Sequence, residues 1–130
     1  MLAHISIGVS DLAKAARFYD AVLKPLGYAR VMEEAGGLGY GVPDRPSFWL
    51  NPVTGPVPPA PGSHVAFLAH SRPAVDAFHA AGIAGGGRSD GAPGLRPHYH
   101  SNYYAAFIVD PDGHRIEAVC HKRSDNPAKG

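Results

Sequence analysis

The feature that most constrains the fold of this chain is an internal repeat at an offset of sixty residues. Residues 3–9 alternate between apolar and more polar side chains, which predicts a β-strand, and His4 lies on its less apolar face. Residues 63–69 repeat the pattern with His64 in the place of His4, since 64 − 4 = 60. A helical pattern and then glycines follow each strand. The matches indicate that one structural unit has been duplicated.

The first unit is predicted to fold as a strand, a helix and three further strands. Ser10 and Asp11 supply an N-cap and a first-turn acid, and apolar residues then recur at helical spacing up to Gly27. Glycine- and proline-rich turns separate the strands that follow. These three strands are expected at residues 28–33, 38–42 and 47–51.

The second unit follows a connector, residues 52–62, that contains five prolines and is expected to be extended. The unit is predicted to begin with a strand and a helix and to end in an antiparallel hairpin. The predicted elements are a strand at 63–69, a helix over about 71–81, and hairpin strands at 103–109 and 115–120 joined by Asp110-Pro111-Asp112-Gly113.

The glycine- and proline-rich segment 85–102 has two interpretations, a loose surface loop or a cover over a site. With either one, the order of elements predicts an α+β fold in which two βαβββ modules form a cupped mixed sheet. We expect a single domain over residues 1–130, with modules at about 1–51 and 63–121.

Composition and charge argue against several classes of function. Twelve basic and eleven acidic residues give a net charge of +1, and no run of Lys or Arg is present to neutralise a series of phosphates, which argues against nucleic-acid binding. No apolar stretch approaches the roughly 20 residues that span a bilayer, which argues against a membrane partner. Cys120 is the single cysteine, and the N-terminal residues form a strand pattern rather than a leader, so we expect a cytoplasmic protein.

Two histidines and one glutamate form a candidate metal site. His4 and His64 hold equivalent places in the two units, so both imidazoles can converge if a pseudo-twofold axis relates the units. Glu117 lies within an apolar strand, where a carboxylate is costly unless it is paired or bound to a cation. Two His and one carboxylate suit non-haem Fe(II), and a similar set serves catalytic Zn. The alternative is structural: hydrogen-bonded or exposed histidines, and a Glu117 that pairs with Arg115 or faces water.

The same residues carry a resemblance to a known family. The two βαβββ units, His4, His64 and the segment Asp110-Pro111-Asp112-Gly113-His114-Arg115-Ile116-Glu117 resemble the vicinal oxygen chelate superfamily, which includes glyoxalase I, extradiol dioxygenases, and the bleomycin and fosfomycin resistance proteins. The resemblance implies a glyoxalase/bleomycin resistance/dihydroxybiphenyl dioxygenase-like fold and a homodimer. It also implies one divalent metal ion (Fe, Mn, Zn, Co or Ni) held by His4, His64 and Glu117, and a small substrate that chelates the metal through vicinal oxygens.

Departures from the family pattern bear on the reaction. Trp49 stands where glyoxalase I has a fourth ligand, and its role is either core packing or a substrate platform. Extradiol enzymes have a His and then a Tyr before the final Glu; His100 matches the first, but Phe107 replaces the second, and Tyr103 shares its strand parity. We therefore expect His100 and Tyr103 to be catalytic. The residues expected to contact the substrate are Trp49, Arg96, His98 and Phe107.

The functional expectation is a metal-dependent glyoxalase- or dioxygenase-like enzyme, a lyase or an oxidoreductase. His98 and His100 share a strand parity, which predicts that both face one site, where imidazoles suit proton transfer near neutral pH. A solvated pair of histidines on a loop is the alternative. Two other functions stay open: a metal-free protein of the bleomycin-resistance type that sequesters a ligand, and a fosfomycin-type thiol transferase, for which the sequence offers no convincing cationic clamp. Cys120 and His121 are expected to be packing or terminal residues.

Overall fold

The computed structural model describes residues 1–58 and 60–123. The first module contains one helix and four strands. These elements are β1 (Ile5–Val9), α1 (Leu12–Leu23), β2 (Ala29–Glu34), β3 (Gly37–Val42) and β4 (Arg45–Pro52), with a short 3₁₀ turn at Lys24–Leu26 after α1. The strands form a mixed sheet in the order β1-β4-β3-β2, in which β1 runs parallel to β4.

The second module repeats this arrangement. Its elements are β5 (Val65–Leu68), α2 (Arg72–Ala84), β6 (Arg88–Leu95), β7 (Tyr104–Val109) and β8 (Arg115–Cys120). The sheet order is β5-β8-β7-β6, with β5 parallel to β8. Strand β5 begins sixty residues after β1, and α2 begins sixty residues after α1. The predicted α+β fold of two βαβββ modules is confirmed, with one four-stranded sheet in each module.

The helices cover one face of each sheet and leave the other face open. In β8, for example, Ile116 and Ala118 are buried in the core. The modules meet where α1 packs on α2 and where Phe48 makes an edge-to-face contact with Phe67, with ring centroids 5.0 Å apart. The open faces are therefore where side chains remain available to a ligand. No helix in the described part of the chain is long and apolar enough to cross a membrane.

The start of α1 differs from the prediction. Its N-cap is Asp11, whose side chain accepts a hydrogen bond from Lys14 N at 3.1 Å. The Ser10 hydroxyl instead donates to Asp112 in the other module, at 2.5 Å. The sequence predicted Ser10 as the N-cap and Asp11 as a first-turn acid, and this assignment was wrong because Ser10 is held by Asp112, a tertiary contact that a local motif does not contain.

The segment 85–102 contains more regular secondary structure than either interpretation of its sequence predicted. Residues 88–95 form β6, the edge strand of the second sheet. Pro93 lies within this strand, and two register shifts interrupt its pairing with β7. An edge strand tolerates such breaks because one side has no ladder to maintain. The glycines and the proline that suggested a loop are the reason why the strand was missed.

The turn between β7 and β8, Asp110-Pro111-Asp112-Gly113, links the two modules. The buried Asp110 carboxylate accepts hydrogen bonds from two nearby backbone N–H groups, both at 2.9 Å, and from the Tyr19 hydroxyl of α1 at 2.5 Å. Asp112 accepts two further hydrogen bonds from Ser10. The motif that carries the family resemblance therefore fixes the start of β8 against the first module.

Replacing Tyr19 by Phe is expected to lower the free energy of unfolding by about 1–3 kcal/mol, because the Asp110 carboxylate then loses a partner that water cannot easily replace. Equilibrium unfolding in urea measures the change. Tyr28→Phe is the matched control, since the Tyr28 hydroxyl donates to the exposed carbonyl of Leu68, which water can reach. A loss in Tyr19→Phe no larger than that in the control would contradict the role given to this hydrogen bond.

Candidate functional site

The open face of the second sheet holds a pocket of ≈ 590 Å³, a size suited to a small molecule. Strands β5 and β8 position its polar residues, because Ala66 of β5 pairs with Glu117 of β8. His64 precedes Ala66 by two residues and so shares its face of the sheet. The lining includes His64, Tyr99, His100, Tyr103, Phe107, Arg115 and Glu117.

Glu117 is the centre of the hydrogen bonding in this pocket, and it is only 1% exposed. Its Oε1 lies 3.0 Å from His64 Nε2, and its Oε2 accepts a hydrogen bond from the Tyr103 hydroxyl. Burial raises the pKa of Tyr103, and the hydrogen bond to Glu117 and the charge of Glu117 raise it further. The hydroxyl of Tyr103 is therefore protonated, and a donor, throughout the neutral pH range.

The pair of His64 and Glu117 fits two neighbouring ligands of a divalent metal ion. Imidazole nitrogen and carboxylate oxygen ligands lie about 2.0–2.2 Å from such an ion, so two of them at a right angle are separated by roughly 3 Å. The 3.0 Å between His64 Nε2 and Glu117 Oε1 is the length of an ordinary hydrogen bond, and it is also short enough for both atoms to bind one ion. A cation would also offset the cost of the buried carboxylate, whose hydrogen-bond partners in the described part of the chain are a histidine and a tyrosine.

His4 does not join this pair within one chain. It lines a different pocket, on the open face of the first sheet, together with Ser6 and Trp49. Among residues 1–58 and 60–123, no three His, Cys, Asp or Glu side chains come close enough together to hold one metal ion. One chain therefore presents two of the three predicted ligands in one place, and the three-residue ligand set stays a prediction.

The open faces of the two sheets correspond in register but differ in chemistry. Ser6 pairs with Trp49 in the first sheet, and Ala66 pairs with Glu117 in the second. Because Ser6 and Ala66 are sixty residues apart, Trp49 holds the place in its module that Glu117 holds in the other. The indole of Trp49 is partly exposed and lies over Gly39 of β3, so it lines the open pocket rather than the core.

Residues 96–103 form a tight hairpin loop at the edge of the Glu117 pocket, with two backbone turn hydrogen bonds. His100 and Tyr103 line the pocket. His98 is not among the lining residues, and its ring packs against Tyr99, with centroids 4.2 Å apart. The strand parity that grouped His98 with His100 has no meaning in a turn, where successive side chains do not alternate.

Arg96, the first residue after β6, packs against Phe107 of β7. The guanidinium of Arg96 lies 5.4 Å from the centroid of the Phe107 ring, a cation–π distance. Arg96 also donates hydrogen bonds of 2.8 Å to the carbonyls of Ala92 and Gly94. Phe107 pairs with Glu117 across the strands and lines the pocket. Arg96 thus supports the ring that a ligand would contact.

His121, which the sequence analysis expected to be a packing or terminal residue, contacts His100 and Tyr103 of the pocket lining from behind without lining the pocket itself. Its Nδ1 lies 2.7 Å from His100 Nε2, and the two rings are stacked. The Asn102 N–H donates to His100 Nδ1 at 3.1 Å, so a neutral His100 carries its proton on Nε2 and donates it to His121. The signal was available in the sequence, because residue 121 continues the strand parity of Glu117 just beyond β8.

The arrangement can be compared with known families. Residues 1–118 match the family model of the Glyoxalase/Bleomycin resistance protein/Dioxygenase superfamily. The chain belongs to this superfamily. The match includes both modules and the segment 110–117, so the predicted vicinal oxygen chelate membership is confirmed. None of the curated proteins that were compared with this superfamily member matches it.

Solved structures share the fold of this superfamily member. A glyoxalase/bleomycin resistance protein from Albidiferax ferrireducens T118 is 35% identical, with a TM-score of 0.79 over 92% of this chain and 98% of that one. A glyoxalase-related enzyme from Fulvimarina pelagi is 25% identical, with a TM-score of 0.66 over 92% and 87%. A fosfomycin resistance protein from Listeria monocytogenes, 19% identical with a TM-score of 0.65 over 92% of each chain, is similar in fold alone.

Proposed function

We propose that this superfamily member is a metal-dependent enzyme of the glyoxalase or dioxygenase type, acting on a small molecule that chelates the metal through two adjacent oxygens. The observation that carries the proposal is the 3.0 Å separation of His64 Nε2 and Glu117 Oε1 in an open pocket. Burying the Glu117 carboxylate costs free energy that a cation would offset. Fe, Mn, Zn, Co and Ni all accept this pair of donors.

The third ligand in this proposal is His4 of the partner subunit in a homodimer. The first sheet offers His4 beside Trp49 and the second offers His64 beside Glu117, so each open face lacks what the other supplies. A twofold arrangement in which the first sheet of one copy faces the second sheet of the other completes two equivalent sites. Leu2, largely exposed at the rim of an apolar cavity that His4 also lines, supplies surface for such an interface.

The remaining pocket residues have separate roles in the proposal. When bound, the metal supplies Lewis acidity and orients two substrate oxygens. Tyr103 fixes the orientation of the Glu117 carboxylate through its hydroxyl. His100 lies against Tyr103, with ring centroids 5.4 Å apart. In its neutral form it donates a hydrogen bond from Nε2 to a substrate oxygen instead of to His121, and in its protonated form it can transfer that proton to the substrate as a general acid. Phe107 supplies a flat apolar wall.

A second candidate function is metal-free sequestration of a ligand, the bleomycin-resistance type of function that the sequence left open. The observation that favours it is that Tyr99, Tyr103 and Phe107 already give the pocket of one chain aromatic walls. In addition, both carboxylate oxygens of Glu117 have hydrogen-bond partners within the chain. Metal dependence of stability separates the two functions.

A divalent metal is expected to raise the melting temperature of the protein by several degrees. At a metal concentration about 100 times the Kd, binding to the native state adds roughly 2.7 kcal/mol. Since each kcal/mol shifts the melting temperature of a domain of about this size by roughly 2–8 °C, the change is easily measured. Scanning fluorimetry with Mn, Fe, Co, Ni and Zn salts, each added to protein stripped of metal, gives the shift for each ion.

Two variants make this test specific for the site. Glu117→Gln keeps the shape of the side chain but removes its charge, and is expected to lose the metal-dependent shift. His70→Ala removes an exposed histidine from the turn before α2 and is expected to keep it. A shift in Glu117→Gln as large as that of the parent protein would remove Glu117 from the ligand set and favour metal-free sequestration.

A further inference from the structure

The pocket contains an arginine, Arg115, to which the proposed metal chemistry gives no role. Arg115 is the first residue of β8, two residues before Glu117, and both line the pocket. Because alternate residues of a strand share a face, the two side chains lie on the open side of the sheet while Ile116 between them is buried in the core. Two residues along a strand span roughly 6.6 Å. Arg115 therefore lies beside the candidate metal ligand rather than on it.

Asp90 holds Arg115 only loosely. The distance from Arg115 Nη1 to Asp90 Oδ2 is 3.4 Å, longer than the roughly 2.7–2.9 Å of a well-formed charge-assisted hydrogen bond. The two side chains are 55% and 32% exposed, and such surface pairs are weak. Asp90 lies at a register shift in β6, an irregularity that re-aims a side chain, and it too lines the pocket. Among the residues that the structure describes, Asp90 is the hydrogen-bond partner of Arg115, so most N–H donors of the guanidinium are left to a ligand.

We propose that Arg115 binds a carboxylate of the substrate, at the end away from its two adjacent oxygens, and thereby selects substrates that carry a carboxylate. The inference rests on the proposed function, which places two adjacent substrate oxygens near Glu117. A guanidinium and a carboxylate match through two parallel N–H···O hydrogen bonds. Asp90 lies beside the guanidinium at 3.4 Å, so a carboxylate of the substrate can compete with it for Arg115.

The walls of the pocket narrow the class of substrate further. Tyr99, Tyr103 and Phe107 are aromatic and line the same pocket as Glu117 and Arg115. Flat rings pack well against such side chains. The substrate class assigned to this site is therefore a small ortho-diphenol, or an enediol of similar shape, with a carboxylate on the side of the molecule opposite to the two oxygens.

Calorimetric titration with two probes tests the inference. Catechol and 3,4-dihydroxybenzoate share the two adjacent oxygens, and only the second has a carboxylate. The zinc-loaded parent protein is expected to bind 3,4-dihydroxybenzoate about 10–100-fold more tightly than catechol, the range of a hydrogen bond to a charged group. Arg115→Gln is expected to bind the two probes almost equally, and Arg115→Lys to keep only part of the preference.

Arg17→Gln is the matched control, because it removes the same charge from the exposed surface of α1, and it should keep the full preference of the parent. An equal preference in Arg115→Gln and the parent would overturn the inference, as would a parent that does not favour the carboxylate. Failure of the proposed function has a different signature. In that case catechol binds no more tightly with zinc than without it, whereas the role of Arg115 is measured by the ratio of the two probes.

Discussion

The His100→Ala variant is expected to keep its metal but to convert substrate about 10²–10⁴-fold more slowly than the parent protein, the usual loss when a general acid or base is removed. His100 lines the Glu117 pocket without contacting Glu117 in the hydrogen bonds of the described residues. Its removal should therefore spare the ligands. Its Nε2 proton is now directed at His121, and in the proposal it is given to the substrate instead.

The measurement is kcat for whichever vicinal-oxygen substrate the parent converts, together with metal content in the same preparations. The variant should lose more of its turnover rate than of its affinity for the substrate, so kcat should fall by a larger factor than KM rises. His70→Ala serves as the control for removal of an exposed histidine. His98→Ala is the informative comparison, because His98 belongs to the same loop but packs on Tyr99. Unchanged turnover in both loop variants would leave Tyr103 as the proton-transfer candidate.

The fold was predictable because its strongest signal is periodic. The alternation in residues 3–9 and 63–69 and the sixty-residue offset of His4 and His64 describe strands that pack on helices, and such patterns survive in tertiary structure. Strand β6 was missed for the converse reason. An edge strand can include Pro93 and shifted register, so its sequence does not differ from that of a loop.

The sequence could identify a candidate site residue where a charged side chain lies within an apolar strand, because burying a charge needs a partner. Glu117 stood out as a carboxylate within an apolar strand, and the structure places His64 and Tyr103 on its two oxygens. Strand parity correctly placed Tyr103 on the face of Glu117. The same rule failed for His98, because residues 96–103 form turns in which side chains do not alternate. The contact of His121 with His100 was not predicted, because it depends on how the loop of residues 96–103 folds back toward the end of β8.

The internal repeat could not predict where His4 lies relative to the pocket that contains Glu117. Because the two modules are equivalent, His4 and His64 line corresponding pockets. This equivalence does not determine whether the two pockets meet within one chain or between two chains. In one chain, Trp49 stands beside His4 in the place that a carboxylate would need. This difference between the modules is the basis of the proposed dimer.

A mixture of two defective chains is expected to restore a metal site that neither chain has alone. In a homodimer of His4→Ala every site lacks the histidine of the first module, and in a homodimer of Glu117→Gln every site lacks the carboxylate. A heterodimer of the two has one site with both defects and one with neither. The intact site combines His4 from the Glu117→Gln chain with His64 and Glu117 from the His4→Ala chain.

The control is a heterodimer of His64→Ala and Glu117→Gln. Both residues belong to the same pocket of the same chain, 3.0 Å apart, so each site in this heterodimer lacks one ligand or the other. It is expected to bind as little metal as the single variants. The two chains of each pair carry different affinity tags and are co-expressed, so that only heterodimers are purified.

The deciding measurement is the metal content of the purified heterodimers by elemental analysis. We expect about one metal ion for every two chains in the His4→Ala and Glu117→Gln pair, and close to none in the His64→Ala control and in either variant alone. The central claim would be contradicted if the first pair contained no more metal than the control, or if sedimentation of the parent showed only single chains of 13.7 kDa.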